Sequence, residues 1–225
     1  MRSLAIDIGN TRTKIGVYQD GRLLTVEEWS GGEWPKADNA IASITGCEAE
    51  DLPKGCLRVS SRLKLPIRLD YETPNTLGSD RIAAATGAQA LGNGRPMMVV
   101  DAGTCVTVDF VDAAGVYRGG AIMPGLRMKF QALHNFTAKL PLLNINDVEK
   151  EAEILGKSTY GSIVSGVVLS TRLALEGYER KLSEQVGEPV MVVVTGGDAE
   201  RLSGDWRIEP HLVMNGMYEI LQMNI

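Results

Sequence analysis

The chain contains one arrangement twice, and this duplication limits what it can fold into more than any other feature. Leu4-Ala5-Ile6 is a short apolar run of the kind that forms a buried strand, and it ends in Asp7-Ile8-Gly9-Asn10-Thr11. Lys14 to Tyr18 alternates as a second strand, Gln19-Asp20-Gly21 turns, and Arg22 to Trp29 returns as a third. Much later Met97 to Val100 runs into Asp101-Ala102-Gly103-Thr104, Val106 to Asp112 alternates, Ala113-Ala114-Gly115 turns, and Val116 to Ile122 returns. Two copies of strand, Asp-x-Gly-[Asn/Thr] and hairpin predict two related lobes.

The segments between and after the copies are helical in pattern. Trp34 to Ile44 reads as a helix, Cys56 to Ser60 as a strand, and Arg81 to Leu91 as an alanine-rich helix with Ser79 or Asp80 as its N-cap, stopped by Gly92-Asn93-Gly94. Beyond the second copy, Leu126 to Phe136, Ser158 to about Leu182 and Leu212 to Gln222 read as helices, and Val190 to Val194 as a buried strand. Strands and helices alternate, so the class is α/β. The expected lobes are residues 1–94 and 95–225, without a low-complexity linker between them.

Composition excludes several classes of function. The 225 residues carry a net charge of -5, so no overall field attracts phosphate backbones or anionic lipid. No apolar run approaches the ~20 residues of a membrane span, and Asp7 interrupts the first apolar stretch too early for a signal peptide. A cytoplasmic protein is expected, with no nucleic-acid or membrane partner. Cys47, Cys56 and Cys105 form no C-x-x-C pair and no even set, so they are read as free thiols.

The chemistry concentrates at the ends of the predicted strands. A carboxylate at the carboxyl end of a buried strand lies where open α/β sheets bind ligands, and Gly9-Asn10-Thr11 can turn tightly, offering N–H groups and a hydroxyl to phosphate oxygens. Asp7 would hold Mg²⁺ through water, an ion that favours carboxylate and phosphate oxygens. Lys14 either neutralises phosphate or is a solvated strand residue. Asp101-x-Gly103-Thr104 supplies a second acid and turn of the same kind. Gly78-Ser79-Asp80-Arg81 opens a helix, whose dipole keeps Asp80 ionised. Asp80 can therefore accept a hydroxyl proton or serve only as a cap, and Arg81 could bind a carboxylate through two parallel bonds. Thr195-Gly196-Gly197-Asp198 is another strand-end turn, plausible against nucleotide and equally plausible as an ordinary loop.

Two other motifs fail on inspection. Gly156-Lys157-Ser158-Thr159 looks like the end of a Walker loop, but Glu151 stands where its first glycine belongs and no strand precedes it. Gly92-Asn93-Gly94 follows a helix and lacks the third glycine of a dinucleotide fingerprint. His134 and His211 are isolated and have no zinc spacing.

Taken in order, Asp7-Ile-Gly-Asn-Thr-Arg-Thr-Lys14, Gly78-Ser-Asp-Arg81, Asp101-Ala-Gly-Thr104, Gly119-Gly-Ala-Ile-Met-Pro-Gly125, Thr137-Ala-Lys-Leu-Pro141 and Thr195-Gly-Gly197 resemble type III pantothenate kinase. The resemblance implies the acetate and sugar kinase/heat-shock 70/actin fold, each lobe being a mixed sheet flanked by helices of the actin/ribonuclease H-like type. It also implies a homodimer and transfer of the ATP γ-phosphoryl group to the primary hydroxyl of pantothenate, the first step towards coenzyme A. Asp7, Ile8, Gly9, Asn10, Thr11, Arg12, Thr13 and Lys14 become the ATP loop, and Thr104 a second nucleotide contact. Asp101 becomes the ligand of a monovalent cation, K⁺ or NH₄⁺. Asp80 becomes the general base, and Gly78, Ser79, Asp80, Arg81, Tyr71 and Thr159 become contacts to pantothenate.

Two alternatives remain open. One is a kinase or phosphatase of the same superfamily acting on another hydroxylated acid or sugar. The other is a non-enzymatic transcription accessory factor, against which the acidic balance counts. The glycines and serines at 161, 162, 165 and 166 would let another helix approach closely, either a dimer partner or one from the same chain.

Overall fold

The computed structural model describes residues 1–46 and 51–225, so Cys47 lies outside the described residues. β1 (Arg2–Ile8), β2 (Thr13–Gln19) and β3 (Arg22–Trp29) form the first meander. β4 (Asn39–Ile44), β5 (Leu57–Arg58), β6 (Arg68–Leu69) and α1 (Ser79–Gly92) follow. The second meander is β7 (Met97–Ala102), β8 (Cys105–Val111) and β9 (Val116–Pro124). The chain ends with α2 (Leu126–Asn135), α3 (Thr159–Val164), α4 (Ser170–Val186), β10 (Met191–Thr195), α5 (Ala199–Leu202), β11 (Arg207–Ile208) and α6 (Leu212–Gln222).

The duplication seen in the sequence is present in the sheets. One sheet has the order β3-β2-β1-β4-β5, and the other, read from its far edge, has β6-β9-β8-β7-β10-β11. Apart from the added edge strand β6, the two orders correspond strand for strand. In the first sheet β1 pairs antiparallel with β2 and parallel with β4, so the sheet is mixed. The class is α/β, with two mixed sheets and flanking helices.

Contacts divide the chain into two units, but not at a single cut. The first comprises Met1–Met97, Asp109–Gly119 and His211–Ile225, and the second Met98–Val108 and Gly120–Pro210. The first unit thus takes in the β8–β9 turn and the terminal helix as well as the N-terminal part of the chain.

In the first unit, strand alternation sorts residues between two faces. Leu4, Ile6, Ile8, Ile15, Val17, Ala40 and Ala42 form a core cluster against which Trp29, Trp34, Ile44, Leu52 and Cys56 pack. The other face carries smaller residues, Ser3, Ala5, Gly16 and Ser43, as period-two geometry requires. This face receives α6, which packs on β1, β4 and α1. The α1–α6 crossing is close enough that a methyl group at Gly216 would overlap the Ala83 carbonyl, and one at Gly87 the Leu212 carbonyl. Tyr18 fastens α6 to the sheet by stacking on Tyr218 at 4.1 Å and donating its hydroxyl to Asn215 Oδ1 at 2.8 Å.

Three local expectations need correction. The segment expected to be a helix from Trp34 to Ile44 instead contains the parallel strand β4, buried on both faces at Ala40, Ile41 and Ala42. Trp34 lies before it, stacked on Trp29 at 4.7 Å. The N-cap of α1 is Gly78, not Ser79 or Asp80, and no side chain caps it. The long helix expected from Ser158 is interrupted by a π turn over Ser165–Leu169, where the hydroxyls of Ser170 and Thr171 bond back to the carbonyls of Gly166 and Val167. Cys56 and Cys105 are free thiols, as expected, and burial pushes Cys56 up to about 11. No helix among the described residues is long and apolar enough to cross a membrane.

Candidate active site

Within the first unit, the ends of β1 and β4 and the start of α1 bring the sequence-predicted acids together. Asp7 stands directly opposite Lys14 in the β1–β2 ladder and next to Ser43 in the β1–β4 ladder. The loop that follows is tied tightly: Gly9 N–H donates to the Arg12 carbonyl at 3.1 Å, and Thr45 and Gly46 N–H groups donate to the Ile8 carbonyl at 2.9 and 3.1 Å. Gly46 lies so close that any side chain there would strike the Gly9 carbonyl. Asn10 and Thr11 are exposed, Arg12 pairs with Glu28 at 3.6 Å, and the Ile8 side chain belongs to the core.

A hydroxyl relay joins this loop to α1. Ile44 N–H donates to Ser79 Oγ at 2.9 Å, Ser79 Oγ lies 3.0 Å from Ser43 Oγ, and Ser43 bonds the Asp7 carboxylate. Ser79 Oγ also donates to the Ile44 carbonyl at 3.2 Å, so this one hydroxyl ties the end of β4 to the start of α1. Asp80 accepts the Arg81 N–H at 2.8 Å, and a methyl group at Gly78 would come within 2.5 Å of the same carboxylate oxygen. The glycine before Ser79-Asp80-Arg81 therefore keeps space for an acid.

Both acids are held in surroundings that disfavour their charge. Burial raises Asp7 to about 6, helped by the negative charge of Asp80 and opposed by Lys14. Burial likewise raises Asp80 above the usual carboxylate range, against the pull of the Arg81 N–H and guanidinium. Two neighbouring acids with raised values are suited to taking up a proton or a cation. A cavity of about 560 Å³ opens beside them, lined by Ile44, Gly46, Ser60, Asn75, Gly78 and Ser79 among others.

Arg81 is not a free cation. Its Nε and Nη2 donate to Asp109 Oδ1 at 2.9 and 2.7 Å, and the Tyr117 hydroxyl donates to the same oxygen at 2.6 Å. Asp109 is 1% exposed. Tyr71 meets Tyr117 edge-on at 5.8 Å. Arg81, which could bind a carboxylate through two parallel bonds, thus directs its Nε–Nη2 edge at an internal one. Removing one partner of such a buried pair costs ~3–5 kcal/mol, because the other charge is left uncompensated.

The second unit builds a related turn at Asp101-Ala102-Gly103-Thr104. Gly125 N–H donates to the Thr104 carbonyl at 3.1 Å, and a side chain at 125 would overlap that carbonyl. Gly196, at φ +94, has the Ala102 carbonyl and Asp101 Oδ1 each 2.5 Å from where a Cβ would stand. Gly125 and Gly196, one from each of two glycine motifs, therefore meet the Asp101 loop with backbone packed on backbone. Thr104 is exposed, and Thr159 opens α3 after its N-cap Ser158, also exposed.

The family model for type III pantothenate kinase matches residues 47–181. A type III pantothenate kinase of Cytophaga hutchinsonii is 36% identical over 99% of this chain and 100% of its own length, and one of Phocaeicola vulgatus is 35% identical over 99% and 98%. The chain belongs to the type III pantothenate kinase family. Two solved structures agree in fold: a Campylobacter jejuni protein described as a Baf family transcriptional activator (TM-score 0.65, 19% identity, 97% of each chain) and a 2-dehydro-3-deoxygalactonokinase protein of Sinorhizobium meliloti (TM-score 0.58, 11% identity, 97% of each chain).

Against the candidate residues of this family member lie four that sequence reasoning did not single out: Ser43, Gly46, Asp109 and Tyr117. Asp109 carried one faint signal, as an acid set between Val108 and Phe110 in a strand whose end, Val111, is fully buried.

Proposed function

We propose that this chain transfers the γ-phosphoryl group of ATP to the primary hydroxyl of pantothenate. The observation that carries the reading is the cavity lined by Gly78 and Ser79, with the raised acids Asp7 and Asp80 next to that helix start, in a chain of this family. Phosphoryl transfer asks mainly for positioning and charge neutralisation, and both are available here.

In this reading Asp80 is the general base. Its raised pKa suits it to accept a proton, and Gly78 leaves its carboxylate uncrowded. As the hydroxyl oxygen bonds to the γ-phosphorus, its proton passes to Asp80, the bond from that phosphorus to the bridging oxygen breaks, and ADP leaves. Gly78, Ser79, Arg81 and Tyr71 line the pantothenate side, and Thr159 is assigned there by family resemblance. With its Nε–Nη2 edge held by Asp109, Arg81 offers its remaining N–H groups to substrate.

The loop from Asp7 to Lys14 is assigned to ATP, with Thr104 as a second contact. Asp7 suits a hydrated Mg²⁺, since a buried acid raised by a like charge gains from a nearby cation. Asp101 suits a monovalent cation, K⁺ or NH₄⁺, because its carboxylate and the Ala102 carbonyl crowd the same position beside Gly196. When bound, these cations would neutralise phosphate charge.

A cytoplasmic homodimer completes the proposal. Ile154 and Leu155, in the loop before α3, are 80% and 78% exposed, and Gly166 faces open space. Gly161, Ser162 and Ser165 instead serve internal packing against residues 154–156.

The test is ADP release with ATP, Mg²⁺ and K⁺ over a panel of hydroxylated acids and sugars. Pantothenate should give the highest kcat/KM. A sugar or another acid outrunning it would transfer the reading to a different kinase of the superfamily.

A further inference from the structure

We infer that Asp109, together with Tyr117, is a positioning residue that decides which edge of the Arg81 guanidinium faces pantothenate. This rests on the proposed function and adds two residues to it. Three donors, Arg81 Nε, Arg81 Nη2 and the Tyr117 hydroxyl, converge on Asp109 Oδ1, while the buried Oδ2 has no protein donor among the described residues. One oxygen accepting the Nε–Nη2 edge fixes that edge inward and leaves Nη1 on the other side. The Tyr117 hydroxyl locks the acceptor in turn, and Tyr71 packs edge-on against Tyr117.

The chain topology explains how this set is assembled. β6 pairs with β9 at Leu69 and Tyr117, which carries Tyr71 to Tyr117, and α1 presents Arg81 to the end of β8. All four residues belong to the first unit. Asp109 and Tyr117 are buried, at 1% and 0% exposure, and Arg81 retains 7%, so Asp109 and Tyr117 act on substrate through Arg81. Burial pushes Asp109 upward, and the Arg81 and Tyr117 donors oppose that shift and favour the ionised carboxylate, whose charge offsets that of Arg81. The pair therefore offers pantothenate directed N–H donors with little net charge, and orientation carries the recognition.

The test is a comparison of KM for pantothenate, KM for ATP and kcat in Asp109→Asn, Tyr117→Phe, Arg81→Ala and the double variant Tyr117→Phe/Arg81→Ala. Misplacing a binding group by about 1 Å can cost about 10²-fold, so Asp109→Asn should raise KM for pantothenate by at least about tenfold. Tyr117→Phe, which keeps the packing, should act in the same direction and by less. KM for ATP should stay within about twofold and kcat within about threefold in both. In the Arg81→Ala background, Tyr117→Phe should add nothing, because the group it positions is gone. If Tyr117→Phe changes KM for ATP and pantothenate alike, or multiplies the Arg81→Ala effect, the positioning role is refuted. Wild-type protein without pantothenate-dependent ADP release would instead overturn the function on which the role rests.

Discussion

At Asp7 and Asp80 two carboxylates pay an electrostatic cost that only a cation, a proton or a substrate relieves. Asp7 has a folded value of about 6 against an ordinary 3.8. Below pH 4 both folded and unfolded chains hold this proton and the cost vanishes. As the pH rises from about 4 through 6, the unfolded chain releases the proton first and stability falls. Asp7→Asn should therefore stabilise the ligand-free protein at pH 8 by up to ~3 kcal/mol, at about 1.4 kcal/mol per pKa unit, and the gain should disappear near pH 3.5 in denaturant titrations. Equal stability of the two proteins at pH 8 would show that Asp7 ionises without penalty. Asp80→Asn should lower kcat by ~10²–10⁴-fold with ATP affinity and melting temperature retained, since the amide keeps the acceptor for the Arg81 N–H. Turnover within about threefold of wild type would make Asp80 structural, far below the general-base range. Both acids were legible in the sequence because each ends a strand or opens a helix beside glycine. Asp109 was not, because its partner Arg81 comes from a helix 28 residues away in the chain and nothing local marks the pairing.

Among the elements, the α1–α6 crossing and the π turn make opposite demands on glycine. Gly216→Ala should destabilise by ~2–3 kcal/mol, the upper part of the overpacking range, because its methyl group meets backbone at Ala83 that cannot rotate away. Gly166→Ala has open space and should be neutral or stabilising by ~0.5–1 kcal/mol in the monomer. A fall in dimer affinity in that variant would place the π turn at the subunit interface. Thermal melts and sedimentation separate the two effects. The helix α6 was read from Leu212 to Gln222 and the structure has it there, since its apolar period is clear. β4 was misread because Ala40-Ile41-Ala42, buried on both faces of a parallel strand, lacks the alternation that distinguishes strand from helix. The break at Ser165–Leu169 depends on Ser170 and Thr171 choosing backbone carbonyls as partners, which composition alone does not announce.

For the whole molecule, the corresponding strand orders of the two sheets explain why six short motifs in order identified the family when none did so alone. Each Asp-x-Gly turn sits at the same place in its own sheet, so the duplication visible in the sequence is a duplication of strand-end turns. The second acid has its own expected effect: K⁺ or NH₄⁺ should raise kcat several-fold over a bulky organic cation at matched ionic strength, and Asp101→Asn should abolish the difference. Identical rates in both salts would remove Asp101 from the cation role. The most direct test of the account is the fate of the γ-phosphoryl group itself. Wild-type protein incubated with ATP, Mg²⁺, K⁺ and pantothenate should yield one phosphorylated pantothenate per ADP by mass spectrometry, with the phosphate on the primary hydroxyl. ADP accompanied only by free phosphate, with pantothenate recovered unmodified, would contradict it.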